Sequence, residues 1–211
     1  MQTVALIDYG SGNLHSAEKA LQKAALSGAH RIVTTSDPDI VAKADRIVLP
    51  GVGAFSADMQ AAKARDGLAE AMTEAVQRGA PFLGVCVGMQ LLAERGLEFG
   101  EHQGLGWIGG EVRRLEPSDH QAKVPHMGWN TVEPQAPHPL TEGMGVDTHM
   151  YFTHSFAFYP SDQANVAAVT DHAGRFVSAV AKDNIAGVQF HPEKSQAAGL
   201  ALIGRFLEWR P

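Results

Sequence analysis

The chain has 211 residues, 45% of them hydrophobic and 19% charged. That is enough apolar material for one self-sufficient core, and it excludes wholesale disorder and a disulfide-dependent mini-domain. Lys+Arg 17 against Asp+Glu 23 gives a formal charge of -6 with no basic run, so no nucleic acid partner is expected; apolar stretches too short for a bilayer and a start without an export signal predict a cytoplasmic protein with no membrane partner.

Short β-rich runs alternating with helical patterns predict an α/β fold, one domain over 1–211, with a central, mostly parallel sheet flanked by helices. Strands are expected over residues 3–7, 31–34, 46–49 and 81–85. Between the first two, Leu14, Ala17, Leu21 and Ala24 recur at helical spacing behind Asn13, a residue suited to an N-cap. The Ala-, Met- and Glu-rich span 54–78 reads as two helices parted at Asp66-Gly67, and another helix is expected over 89–94, directly after the fourth strand. The second half turns extended and strand-rich, with strands expected over 107–114, 150–156, 166–170, 176–181 and 185–190 between Gly, Pro, Asp and Asn turns. Asp183-Asn184 suits a short hairpin, 133–145 a surface loop, and 197–209 a closing helix.

The single cysteine, Cys86, cannot form an internal disulfide, so its role is packing or chemistry. A lone cysteine is ordinarily a buried, inert packing residue. Here it is the centre of Gly84-Val85-Cys86-Val87-Gly88, between a strand and a helix, the context of a nucleophile elbow with Cys in place of Ser. Flanking glycines remove Cβ atoms that would clash in so sharp a turn, and a helix N-terminus favours the thiolate. Among ten histidines, His191 is best placed to handle its protons, because it ends a strand in Phe190-His191-Pro192-Glu193. Kept extended by Pro192, that segment would project His191 and Glu193 to one side, so that the carboxylate fixes the imidazole tautomer. The alternative is a solvated surface turn.

No metal is expected. His149 and His154 are five apart and would face opposite sides of one strand, and His120, His126 and His138 have no ligand spacing. Asp8-Tyr9-Gly10-Ser11-Gly12-Asn13 follows the first strand but has His15 where a dinucleotide fingerprint needs its third glycine, so no Rossmann cofactor is expected and the segment reads as a tight turn into a capped helix. Pro50-Gly51-Val52-Gly53 ends the third strand and is either a structural turn or half of an oxyanion hole, with the Val87 N–H as the other half.

Taken together, these stretches resemble the class I glutamine amidotransferases, with the order Cys86, His191, Glu193. DYGSGN at 8–13, PGVGAF at 50–55, PHMGWN at 125–130, YFTHSF at 151–156 and QFHPEKS at 189–195 bring the resemblance closer to the branch whose ammonia feeds a (β/α)8-barrel cyclase in the synthesis of imidazole glycerol phosphate, a step of histidine biosynthesis. The resemblance covers essentially the whole chain. It implies that Cys86 attacks the side-chain amide of L-glutamine, His191 shuttles protons and Glu193 orients His191. It further implies that Gln90, His154, Ser155 and Phe156 hold the substrate, and that the backbone of Val52, Gly53 and Val87 receives the oxyanion. Asn13, Trp129, Asn130 and Lys194 would face the cyclase, and no cofactor is implied. Phe156 stands where the family usually has Tyr, and Val87 where Leu is common. Read without the family, Trp129 is a packed loop aromatic as readily as an interface anchor. A glutaminase serving another synthase, a Cys-dependent hydrolase or peptidase on this scaffold, and a non-catalytic binding module are the competing readings.

Overall fold

The computed structural model describes residues 1–25, 28–119, 122–145 and 147–211. Its first half runs β1 (Gln2–Ile7), α1 (Leu14–Ala24), β2 (His30–Thr35), α2 (Pro38–Ala42), β3 (Arg46–Gly51), α3 (Phe55–Lys63), α4 (Leu68–Gln77), β4 (Phe82–Cys86) and the single turn α5 (Val87–Gln90). The second half runs β5 (Arg95–Gly96), β6 (His102–Gln103), β7 (Gly110–Arg114), β8 (His126–Thr131), β9 (Glu133–Pro134), β10 (His149–His154), β11 (Phe156–Pro160), β12 (Val166–Asp171), β13 (Arg175–Lys182), β14 (Ile185–Val188) and α6 (Gln196–Glu208).

Eight strands form the main sheet in the order β2-β1-β3-β4-β14-β13-β12-β9. From β2 to β14 neighbours are parallel, and from β14 to β9 they are antiparallel. All of β3, β4 and β14 is buried, the pattern of strands covered on both faces, and this explains their continuous apolar runs. Two smaller sheets stand beside it: the ribbon β10–β8 and the four-stranded β11-β7-β5-β6. Asn13 caps α1, its side chain accepting from Ser16 N. Asp183, at φ 51°, closes the expected hairpin between β13 and β14.

Four expectations need correction. The helix expected over 89–94 is only α5, because the carbonyls of Leu91, Leu92, Ala93 and Glu94 accept from Leu105, Ile108, Gly106 and Gly104 instead of from a next helical turn. That same crossing segment occupies 104–108, so the strand expected from 107 begins at Gly110. The run expected over 150–156 splits at Ser155: β10 pairs with β8, while β11 pairs with β7. The strand expected to 190 ends at Val188, where the Gln189 N–H turns to Ser178 O and the His191 N–H to Tyr151 O. Strand β8 and helix α2 had no counterpart among the expected elements, although Asp37-Pro38 is a cap followed by proline at the first turn.

Candidate active site

Cys86 sits where β4 meets α5, at φ 55° and ψ -113°, a conformation costing a non-glycine residue on the order of 1–3 kcal/mol. Packing enforces it. A Cβ on Gly84 would collide with the Gly88 carbonyl, and one on Gly88 with the Leu49 carbonyl, so the turn can lie this close only with glycine at both places. The elbow read from the sequence is present.

His191 leaves the end of β14 and is 2% exposed. Its Nδ1–H donates to Glu193 Oε1 at 2.8 Å, while its Nε2 is buried near Cys86 with no hydrogen-bond partner in range among the described residues. The segment is not extended as expected: Pro192–Lys194 form a 3-10 turn, with Pro192 at its first position and the Ser195 hydroxyl donating to the His191 carbonyl. The tight turn still brings imidazole and carboxylate together. Burial works against charge on His191, but the adjoining Cys86 thiol and the Glu193 carboxylate outweigh it and raise the pKa from 6.5 to about 9. At neutral pH the free protein therefore keeps a proton on this ring.

Cys86 and His191 open on a cleft of about 390 Å³, whose wall includes Val52, Gly53, Val87, Gln90, His154, Ser155, Phe156 and Lys194, all named from the sequence. Glu98, Pro125 and Thr153 complete it and were not foreseen. Glu98 follows the two-residue β5, and its carboxylate accepts from Phe55 N at the start of α3 (2.9 Å). Gln189, also unforeseen, places its Nε2 3.7 Å from the Cys86 sulfur. The polar residue two positions before His191 was the available signal. The Phe156 carbonyl is taken by Gln90 Nε2 and His154 Nδ1, both at 2.9 Å, so this backbone group holds the wall together in a residue that lacks the tyrosine hydroxyl.

The Val52 N–H is already engaged. It is directed to the Ser11 hydroxyl (3.4 Å) and the Asp58 carboxylate, while the Ser11 hydroxyl donates to Val52 O (2.8 Å). Asp58 is 3% exposed and accepts from the Tyr9 hydroxyl at 2.9 Å. Burial raises its pKa against these hydrogen bonds.

Of the four positions assigned to a partner, Asn13 caps α1, Trp129 is 47% exposed with its ring edge-on to Tyr151, and Lys194 lies above the same ring. The Asn130 side chain turns inward, to His126 and to the Asp171 carbonyl. His149 and His154 do lie on unlike sides of β10, exposed and buried. Among the described residues no group of three or more His, Cys, Asp or Glu is arranged to hold a metal ion; His120 lies outside them.

Burial, reinforced by His172, lowers His126 to about 4; burial, reinforced by the imidazoles of His126, His172 and His191, takes His154 to about 3. Their unfolded value is near 6.5, so between pH 6.5 and these values the unfolded chain binds more protons and acid destabilises the fold. Each contributes a slope on the order of 1.4 kcal/mol per pH unit in that window. His191 acts oppositely, its stabilisation complete below about 6.5 and lost as pH rises through about 9. Denaturant unfolding against pH is expected to show stability falling steeply from pH 6.5 to 4.5; a flat profile there would contradict neutral buried rings.

The pattern of the family Glutamine amidotransferase class-I matches residues 5–208. The imidazole glycerol phosphate synthase subunit HisH of Caulobacter vibrioides is 61% identical over 214 residues, covering 100% of both chains, and that of Rhodospirillum rubrum is 53% identical, covering 99% of each. Among solved structures, a glutamine amidotransferase superposes with a TM-score of 0.72 at 20% identity, covering 97% of each chain, and PurLQS of Thermotoga maritima with 0.71 at 21%, covering 99% of each; these show the fold. No helix among the described residues is long and apolar enough to cross a membrane. With the family pattern reaching from β1 to the end of α6, and full-length relatives above half identity, the chain belongs to the class-I glutamine amidotransferases, among the HisH subunits of imidazole glycerol phosphate synthase.

Proposed function

We propose that the cleft hydrolyses the side-chain amide of L-glutamine through Cys86, His191 and Glu193, and that the ammonia passes to a (β/α)8-barrel cyclase docked over the cleft mouth. The observation that carries the chemistry is the buried His191, held by Glu193 on one nitrogen and left unpartnered on the other beside a strained cysteine. The Cys86 thiolate adds to the amide carbonyl, His191 gives its proton to the departing nitrogen, and ammonia leaves a glutamyl thioester. Water, giving its proton to His191, then cleaves the thioester to glutamate, expelling the Cys86 thiolate and restoring the thiolate–imidazolium pair. Glu98 and Lys194, of opposite charge on the same wall, suit the ammonium and carboxylate of an amino acid. Docking is supported by apolar exposure beside the cleft, 41% for Val52, 64% for Met127 and 47% for Trp129.

Glutamate release is the direct test. His191→Ala should lose more activity than Glu193→Gln, because the first removes the proton carrier and the second only its orientation and charge partner. Equal losses in folded variants would give Glu193 a further role, and no loss at Glu193 would remove it from the site.

A further inference from the structure

Strand β8 is two-sided. Met127 and Trp129 are exposed, whereas His126 is 4% exposed and the Asn130 amide points into the protein. From Asn130 a line of hydrogen bonds runs to the thiol, and the backbone groups of Thr131, Asp171 and Phe156 fix its protons. Asn130 Oδ1 accepts from the Thr131 N–H and its Nδ2 donates to the Asp171 carbonyl, both at 2.8 Å, so the amide has one orientation. Its second hydrogen therefore donates to His126 Nε2 (3.2 Å), which leaves the proton of His126 on Nδ1, donating to His154 Nε2 (3.0 Å). The His154 Nδ1–H donates to the Phe156 carbonyl, which also accepts from Gln90. The other hydrogen of the Gln90 amide goes to Gln189 Oε1 (3.0 Å), and Gln189 reaches the Cys86 sulfur.

We propose that Asn130 and His126 are positioning residues of the glutamine pocket: their one-way hydrogen-bond line locks His154 as its Nδ1–H tautomer and, through the Phe156 carbonyl, sets the Gln90 amide in the cleft wall. The assignment rests on the glutaminase reading above. Neither residue lines the cleft, whereas His154, Phe156 and Gln90 do. With both of its nitrogens engaged, His154 serves glutamine as a shaped wall and not as a donor. A second proton on either ring would set two donors against each other, so the line works only with neutral imidazoles. His172 and Phe152 stack on the His126 ring, with centroids at 4.2 and 4.8 Å, and hold it in plane. Leucine at 126 or 130 would leave a buried nitrogen of the line unpaired and free the Gln90 wall to shift.

Two alkylating agents separate positioning from general damage. Inactivation by 6-diazo-5-oxo-L-norleucine requires a fitted amino-acid pocket, and inactivation by iodoacetamide requires only the thiol. For Asn130→Leu and His126→Leu, the diazoketone concentration giving half-maximal inactivation should rise about tenfold, the scale of one hydrogen bond. Iodoacetamide rates should stay within about twofold, and His126→Asn, whose amide nitrogen can replace the Nδ1 donor, should recover most of the affinity. Nitrogen-15 shifts of His154 should report the Nδ1–H tautomer in the wild-type chain and a mixture in Asn130→Leu. Unchanged diazoketone affinity in both leucine variants, equal losses with both reagents, or an Nε2–H His154 in the wild type would overturn the assignment. Absence of saturable diazoketone labelling of the wild type would instead overturn the glutaminase reading, and the tautomer measurement would still decide the hydrogen-bond line.

Discussion

Cys86→Ser is expected to lower glutamine hydrolysis by more than about a thousandfold, in line with the loss of a nucleophile elsewhere. A serine hydroxyl ionises far less readily than a thiol, and losing the sulfur also removes the Cys86 interactions that help raise the His191 pKa to about 9, leaving a weaker base for a harder deprotonation. Serine differs by one atom and meets the same backbone demand at φ 55°, so the fold should be kept. Since the cyclase would do the ring-forming chemistry, the variant complex should still make product from ammonium salts. Retained glutaminase activity would remove Cys86 from the mechanism, and loss of the ammonia-dependent reaction in an intact complex would sink the division of labour.

Docking of the cyclase with its nucleotide should raise glutamine turnover a hundred- to a thousandfold, mainly through kcat, on the order of what one oxyanion donor contributes. Ammonia made without a waiting acceptor escapes to solvent, so a glutaminase at rest should be slow. The resting geometry supplies a reason: the Val52 N–H is held by Ser11 and Asp58 and is not offered to the carbonyl oxygen of a substrate on Cys86. Gly53, at φ 108° and with open space around its Cα, lets the neighbouring peptide turn over without steric penalty. A partner biases that two-state strand only through contacts that differ between the states, and Val52 is itself exposed at the proposed interface. Steady-state kinetics of the chain with and without barrel and nucleotide decide it. Full activity of the isolated chain would refute the switch, as would stimulation that survives Trp129→Ala and Lys194→Ala together.

Much of this site was legible because its demands are local. An elbow needs glycines two residues either side of the nucleophile, and β4 with α5 provides the close backbone contact that those glycines predicted. The pairing of His191 with Glu193 was legible for the same reason, although the turn that achieves it is 3-10 and not extended. What stayed hidden is set by long-range partners. The length of α5 depends on acceptors used by 104–108, and Glu98 and Asp58 carry no local signal in the sequence, their roles being set when the chain folds them against Phe55 N and Tyr9. Strand β8 was missed because its inward positions are His126 and Asn130, polar where a strand pattern calls for apolar, and that exception is where its proposed role lies.

The division of the chain at Ser155 has a consequence for mechanics. The nucleophile and His191 come from the carboxyl ends of the central strands β4 and β14 of the main sheet, Thr153 and His154 from the β8–β10 ribbon, and Glu98 and Phe156 from beside and within the β5–β7–β11 sheet, so the pocket is a seam among three separately laddered bodies. Among the described residues no backbone ladder runs across it. Its width is therefore governed mainly by side chains and isolated backbone bonds such as His191 N–H to Tyr151 O, and it can open by small tilts that break no strand pairing, at a free energy well below that of unfolding. A bound amino acid spanning Glu98, Gln90 and Cys86 would act as a further rung, joining bodies that the chain itself ties only by scattered hydrogen bonds.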